Sequence, residues 1–169
     1  MNDSTNKDTD SDNYRRVVLA EKLINAPVEK VWAAWETGEN IEQWWQTDDD
    51  FGHIVVIRYE FKPGGAWKQH LVMKNDGTDI GTINPGSTFK EIIPYERIVT
   101  VPVPIKEVSV EIVPDAKETV VTFERIDDGA TKVTLYVVSG DESDWELGPV
   151  AQGAYAGVME SLAKYTEGR

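Results

Sequence analysis

Residues 24–45 read INAPVEKVWAAWETGENIEQWW, and this stretch decides the fold. Pro27 suits the first position of a helix, because the N–H it lacks would have no partner there. Val28, Val31, Trp32 and Trp35 then follow at i, i+3, i+4 and i+7, the stripe of an amphipathic helix. Gly38 interrupts that stripe, and Ile41, Trp44 and Trp45 mark a second short helix set at an angle to the first. Just upstream, residues 17–24 form a short apolar run that reads as a strand. The chain therefore begins strand, helix, helix.

Working outward, residues 1–13 carry Asp3, Asp8, Asp10 and Asp12 against Lys7. So polar a segment cannot bury enough surface to order itself, so an acidic disordered tail is expected over 1–13 and one domain over 14–169. Downstream, the period changes to that of strands over 54–61, 66–74, 87–93, 97–101, 107–113, 119–126 and 131–138. Turn chemistry separates them at Pro63-Gly64-Gly65, Asn75-Asp76-Gly77, Asn84-Pro85-Gly86 and Asp127-Asp128-Gly129. Pro102, Pro104 and Pro114 make the stretch 101–117 either an edge strand or a loop. After the acidic bend 141–146 the helical period returns, with Leu147, Val150, Ala151, Ala154, Tyr155, Val158, Leu162 and Tyr165 on one face and Gly168 at its end. Pro149 fits only the first turn of this helix. The pattern is α+β, a twisted antiparallel sheet with one long C-terminal helix to cover its concave face.

Alternation on the strand 66–74 puts Trp67, Gln69, Leu71 and Met73 on one face and Lys68 and Lys74 on the other. The first set is therefore the inward one. An inward Gln69 among apolar neighbours needs a partner, and a core donor, a water or a ligand would serve. Aromatic clusters fill cores more often than they cage ligands, so Trp32, Trp35, Trp44 and Trp45 read as packing.

Composition mostly removes candidates. The 169 residues contain 30 acidic and 17 basic side chains, a net charge of −13, with six Trp and no Cys. Disulfides, thiolate metal sites and Cys nucleophiles are excluded, and nucleic-acid binding would need clustered Lys and Arg. His53 and His70 alone supply little for a zinc site or a histidine relay, and an isolated His is most often structural. No run approaches the length of a membrane span, so a cytoplasmic protein with no membrane span is the expectation. The stretch 81–88 falls short of a phosphate loop, because Ser87 stands where the phosphate-binding Lys belongs and a strand follows. A calcium loop starting at Asp48 fails because its twelfth position is Tyr59. No nucleophile elbow occurs, and Glu60, Glu91, Glu111 and Glu124 read equally well as outward strand residues. No catalytic residue, cofactor or metal is assigned.

Ile24-Asn25-Ala26-Pro27-Val28-Glu29-Lys30-Val31-Trp32, with Ala34, Glu39, Ile41, Trp44 and Trp45, resembles the opening signature of the START-like (SRPBCC) superfamily. Within it, the chain is similar to the group named after the activator of the ninety-kilodalton heat-shock-protein ATPase. Pro63-Gly64-Gly65, Glu91-Ile92-Ile93-Pro94-Tyr95-Glu96-Arg97-Ile98-Val99 and Thr131-Lys132-Val133-Thr134-Leu135 match later motifs of that group. In the last helix Leu162 and Tyr165 match, while Ala154, Tyr155 and Met159 depart from the usual Gly, Trp and Leu. The resemblance spans residues 17–167. It implies a helix-grip fold, a curved antiparallel sheet wrapped around the C-terminal helix, with a cavity between them.

In such a cavity the resemblance implies a small apolar, aromatic or lipid-like ligand. Tyr59, Phe61, Trp67, Gln69, Leu71 and Met73 would line it from the strands. Val150, Ala154, Val158 and Leu162 would line it from the helix. The family name implies a different partner, a chaperone, and some START-like relatives are cyclases or hydrolases. The polar groups facing the cavity discriminate: a lone Gln supports binding, whereas two carboxylates, or one with a His, would support catalysis.

Overall fold

The computed structural model describes residues 14–45, 52–75, 78–83, 86–103, 117–140 and 149–168. The acidic segment 1–13, the Asp48–Asp50 loop, the expected strand 107–113 with Glu111, and the acidic bend 141–146 lie outside the described residues.

Strand β1 (Arg15–Ile24) leads into α1 (Val28–Ala33) and α2 (Gly38–Trp44). Pro27 stands one position earlier than expected. It is the N-cap of α1, extended at ψ 152°, and its carbonyl accepts the N–H groups of Lys30 and Val31, so the helix proper starts at Val28. Thr37 caps α2 by accepting Asn40 N–H at 3.1 Å, which makes Gly38 the first residue of a new helix as well as the break in the old one.

Among the described residues seven strands follow: β2 (Gly52–Tyr59), β3 (Ala66–Asn75), β4 (Thr78–Ile83), β5 (Gly86–Ile93), β6 (Arg97–Val103), β7 (Glu118–Asp127) and β8 (Ala130–Ser139). They join β1 in one antiparallel sheet ordered β1-β8-β7-β6-β5-β3-β2, with β4 paired to β3. Strand β4 has no counterpart in the sequence reading, because Asp79 and Gly81 break its short run. It exists because β5 pairs β3 only over Ala66–Lys68, and the backbone from Leu71 to Asn75 needs partners that β4 supplies. Strand β6 extends through Pro102, which pairs with Ser87 of β5. The ring is tolerated there because β7 stops at the Thr100–Thr119 pair, so Pro102 has no described partner on its other side.

Helix α3 (Pro149–Glu167) ends at Gly168, whose φ of +78° is the left-handed conformation glycine adopts without strain. Its inner stripe is Tyr155, Val158, Met159, Leu162, Ala163 and Thr166. Tyr165 departs from the expected face: it is exposed, and its hydroxyl donates to Asn40 Oδ1 at 3.2 Å. Thr166 takes the inner place, its hydroxyl satisfied by the Leu162 carbonyl at 2.8 Å. Among the described residues α3 approaches β1 most closely, then α2 and α1, with Lys22 and Glu160 in an ion pair at 2.8 Å. The inner side chains of β2, β3 and β5 nearest the short helices are aromatic: Tyr59, Trp67 and Phe89.

Candidate functional site: the inner aromatic wall

Strand β2 shows how the wall is set. Ile54 and Val56 point inward while Val55 and Ile57 are exposed, and simple alternation would carry Arg58 inward next. A bulge between Val56 and Arg58 inserts one residue, so Tyr59 turns inward and Arg58 stays in solvent. The Tyr59 hydroxyl donates to the carbonyl of Trp35. Its ring stacks on Phe61 (5.9 Å between centroids, 6° between planes) and meets Trp67 (5.3 Å) and Phe89 (5.4 Å) edge to face.

On β3 the alternation holds as expected. Trp67 is buried, Gln69 and Leu71 are half-buried, and Lys68 and His70 face solvent. Gln69 has the core partner that the sequence left open: its Oε1 accepts the Trp67 indole N–H at 2.8 Å. An indole N–H can only donate, so the amide oxygen must face it and the amide NH2 is turned elsewhere. From Trp67 the wall continues through Trp45 (5.3 Å) to Trp35 (5.9 Å), and from Trp35 to Trp44 (4.7 Å) and Phe123 (6.0 Å). Trp32 joins it at Phe61 (5.6 Å) and Phe123 (5.1 Å). The helix tryptophans thus pack the core, as read. Trp44 Nε1 donates to the Ala34 carbonyl at 2.8 Å, whereas Trp35 Nε1 is buried with no hydrogen-bond partner among the described residues.

The structure brings Tyr59, Phe61, Trp67, Gln69 and Leu71 onto one wall. Val158 and Leu162 face it from α3 but are sealed in the core, at 3 % and 0 % exposure. The side chains of Met73, Val150 and Ala154 lie outside the described residues. Sequence reasoning placed Tyr155 on the inner face of the helix, three residues before Val158, but not among the residues lining the cavity. Its ring packs against the core yet remains partly exposed, and burial pushes its phenol above the usual tyrosine range. Burial raises the Tyr59 phenol in the same way.

Charge stays outside this wall. Among the described residues the buried polar side chains are Thr100, Thr131, Ser139 and Thr166, all uncharged. His53 lies within β2, and both His53 and His70 are exposed. Glu60 accepts the Ala66 N–H at 3.1 Å, and Glu91 pairs with Arg97 at 2.7 Å. No group of three acidic or His side chains that could hold a metal ion occurs among the described residues. An open groove of about 370 Å³ runs between α2 and β2, lined by Glu39, Glu42, Val56, Arg58 and Tyr59.

Residues 25–167 match the family described as activator of Hsp90 ATPase homolog 1-like protein. The chain belongs to this family. The AHSA1-like assignment accounts for the strand, helix, helix opening and for the helix-grip architecture of the START-like superfamily. No curated protein matches the chain in sequence. The AHSA1-like fold is similar to that of a protein from Chromobacterium violaceum, with a TM-score of 0.69 at 18% identity over 92% of this chain and 97% of that one. It is also similar to an AHSA1-like protein from Aeromonas hydrophila, with a TM-score of 0.65 at 19% identity over 91% and 93% of the two chains. A Staphylococcus epidermidis protein gives a TM-score of 0.69 at 17% identity over 92% and 90%. At such identities the likeness concerns the fold alone. None of the described helices is long and apolar enough to cross a membrane.

Proposed function

We propose that this AHSA1-like chain binds a small, mostly apolar molecule between the sheet and α3. The ligand rests against Tyr59, Phe61, Trp67, Gln69, Leu71 and Tyr155. Met73, Val150 and Ala154 extend the site, while Val158 and Leu162 form its floor. One observation carries the reading: the inner stripe of α3 runs from Leu162 and Ala163, each 0 % exposed, to Tyr155, which packs against the core and stays partly exposed. Large aromatic walls with a few neutral polar groups are the usual make-up of a small-molecule pocket. The inner polar groups described are phenols, indoles and an amide, which supports binding over acid–base chemistry.

The test is a titration of the full chain with Nile red, an uncharged apolar dye, followed by its emission. Saturable binding is expected, and Leu71→Trp, which adds bulk to the wall, weakens it about tenfold. Binding that never saturates, or that Leu71→Trp leaves unchanged, overturns the reading.

A second reading takes the family name at its word, as a module that acts on a chaperone ATPase. It is supported by Val55 and Ile57, two apolar side chains exposed together on the edge strand β2. A ninety-kilodalton heat-shock chaperone whose ATP turnover does not change on adding the chain removes it.

A further inference from the structure

The hairpin β2–β3 differs in charge from the rest of the chain. Residues 52–75 hold Arg58, Lys62, Lys68 and Lys74 against Glu60 alone, a net +3 in a chain of −13, together with both histidines. Residues paired across an antiparallel ladder point the same way, so Arg58 with Lys68, Val55 with His70, and His53 with Val72 share the outer face, away from Tyr59, Trp67 and Gln69. Arg58 and Lys68 are thus like charges set directly opposite one another, an arrangement that costs stability unless an anion meets it. Glu60 engages Arg58 at 3.1 Å, which leaves Lys68 without an ion-pair partner among the described residues. Four cations of the other strands each meet an acid: Lys90 with Glu118, Arg97 with Glu91, Arg125 with Glu29 and Lys132 with Glu21. Protection of an open edge would account for charge on β2, the outermost strand, but not for Lys68 on β3. Val55 and Ile57, 43 % and 55 % exposed, stand beside these cations.

We propose that the outer face of β2–β3 docks an acidic, extended segment of a partner protein, whose carboxylates meet Lys68, Arg58 and Lys62 and whose apolar side chains cover Val55 and Ile57. A short segment feels the hairpin alone, because salt confines the reach of exposed charges to about 8–10 Å. An anionic bilayer or a nucleic acid presents its charge to the whole chain and meets −13. A basic segment would be repelled by the hairpin and drawn to the rest of the surface. This surface extends the apolar pair of the second reading above but needs no chaperone, so an unchanged chaperone ATPase leaves it standing. It lies on the other side of the strands from the aromatic wall and needs no ligand there.

Two peptides of about ten residues test this, one alternating glutamate with leucine or serine and one with lysine in place of every glutamate. Each is titrated into the isotope-labelled full chain and followed by its amide NMR signals. The acidic peptide is expected to bind at least about tenfold tighter, to shift Val55, Ile57, Lys68 and His70, and to weaken as NaCl rises from about 50 to 300 mM. Lys68→Glu sets an acid opposite Arg58, so it is expected to keep the folded spectrum while weakening the acidic peptide about tenfold. Lys164→Glu makes the same change in net charge at an exposed position of α3 and is expected to leave binding within about twofold. Equal losses in the two variants, shifts confined to other strands, no saturable shift, or a lysine peptide that binds as tightly overturns the inference. Co-sedimentation of the full chain with phosphatidylserine vesicles, abolished by Lys68→Glu, overturns it as well, because the partner would then be a membrane.

Discussion

A Cβ on Gly65 would lie 2.0 Å from the carbonyl oxygen of Glu60, a contact no side chain can make without moving backbone. The turn it closes is held at several points. Gly64, at φ +83°, donates its N–H to the Phe89 carbonyl, and the Gly65 carbonyl accepts the Phe89 N–H. These bonds join the β2–β3 turn to β5 and set Phe61 and Phe89 edge to face at 5.4 Å. Gly65→Ala is therefore expected to cost about 3 kcal/mol or more, read by urea denaturation, because the displaced atom is backbone and the core aromatics move with it. A loss under about 1 kcal/mol would show that the turn can relax. The Pro63-Gly64-Gly65 turn was legible in the sequence, since Pro and Gly preset such bends. The identity of the clashing atom was not, because it belongs to a crossing of the chain that only the closed turn creates.

Helix α3 is amphipathic in a way that the sequence marks well at one end and poorly at the other. Leu162 was readable as inner from its spacing, but the choice between Tyr165 and Thr166 was not. Hydrophobicity favours Tyr165, whereas the helix sits where a small side chain fits the core and the tyrosine reaches Asn40. The same helix carries Gly153 and Gly157 in its interior, and a Cβ at either would meet nothing within 4 Å. Glycine there costs backbone entropy and gains no close approach, so Gly153→Ala and Gly157→Ala are each expected to raise stability by about 0.5–1 kcal/mol. Chemical denaturation measures it, and a lowered midpoint would mean that the space beside the helix is filled in solution.

For the molecule as a whole, the two half-buried phenols couple stability to alkaline pH. Burial raises Tyr59 and Tyr155 above the ordinary tyrosine value of 10.0, so the unfolded chain releases those protons first. Their contribution is full below about pH 10 and is lost as pH rises beyond it, at up to about 1.4 kcal/mol per pH unit for each phenol. Denaturation midpoints measured from about pH 9 to 11 are expected to fall, and Tyr59→Phe or Tyr155→Phe to remove roughly half of the slope. A slope unchanged in both variants would show that neither phenol is desolvated. The sequence by itself determined the strand, helix, helix opening, the inward set Trp67, Gln69 and Leu71, the helical end and the family resemblance, because these rest on spacing along the chain. Tertiary structure alone decided that β4 pairs β3, that a bulge turns Tyr59 inward, that Trp67 donates to Gln69, and that Thr166 rather than Tyr165 faces the core. Each of those depends on which distant backbone or side chain stands opposite, and local periodicity carries no record of that.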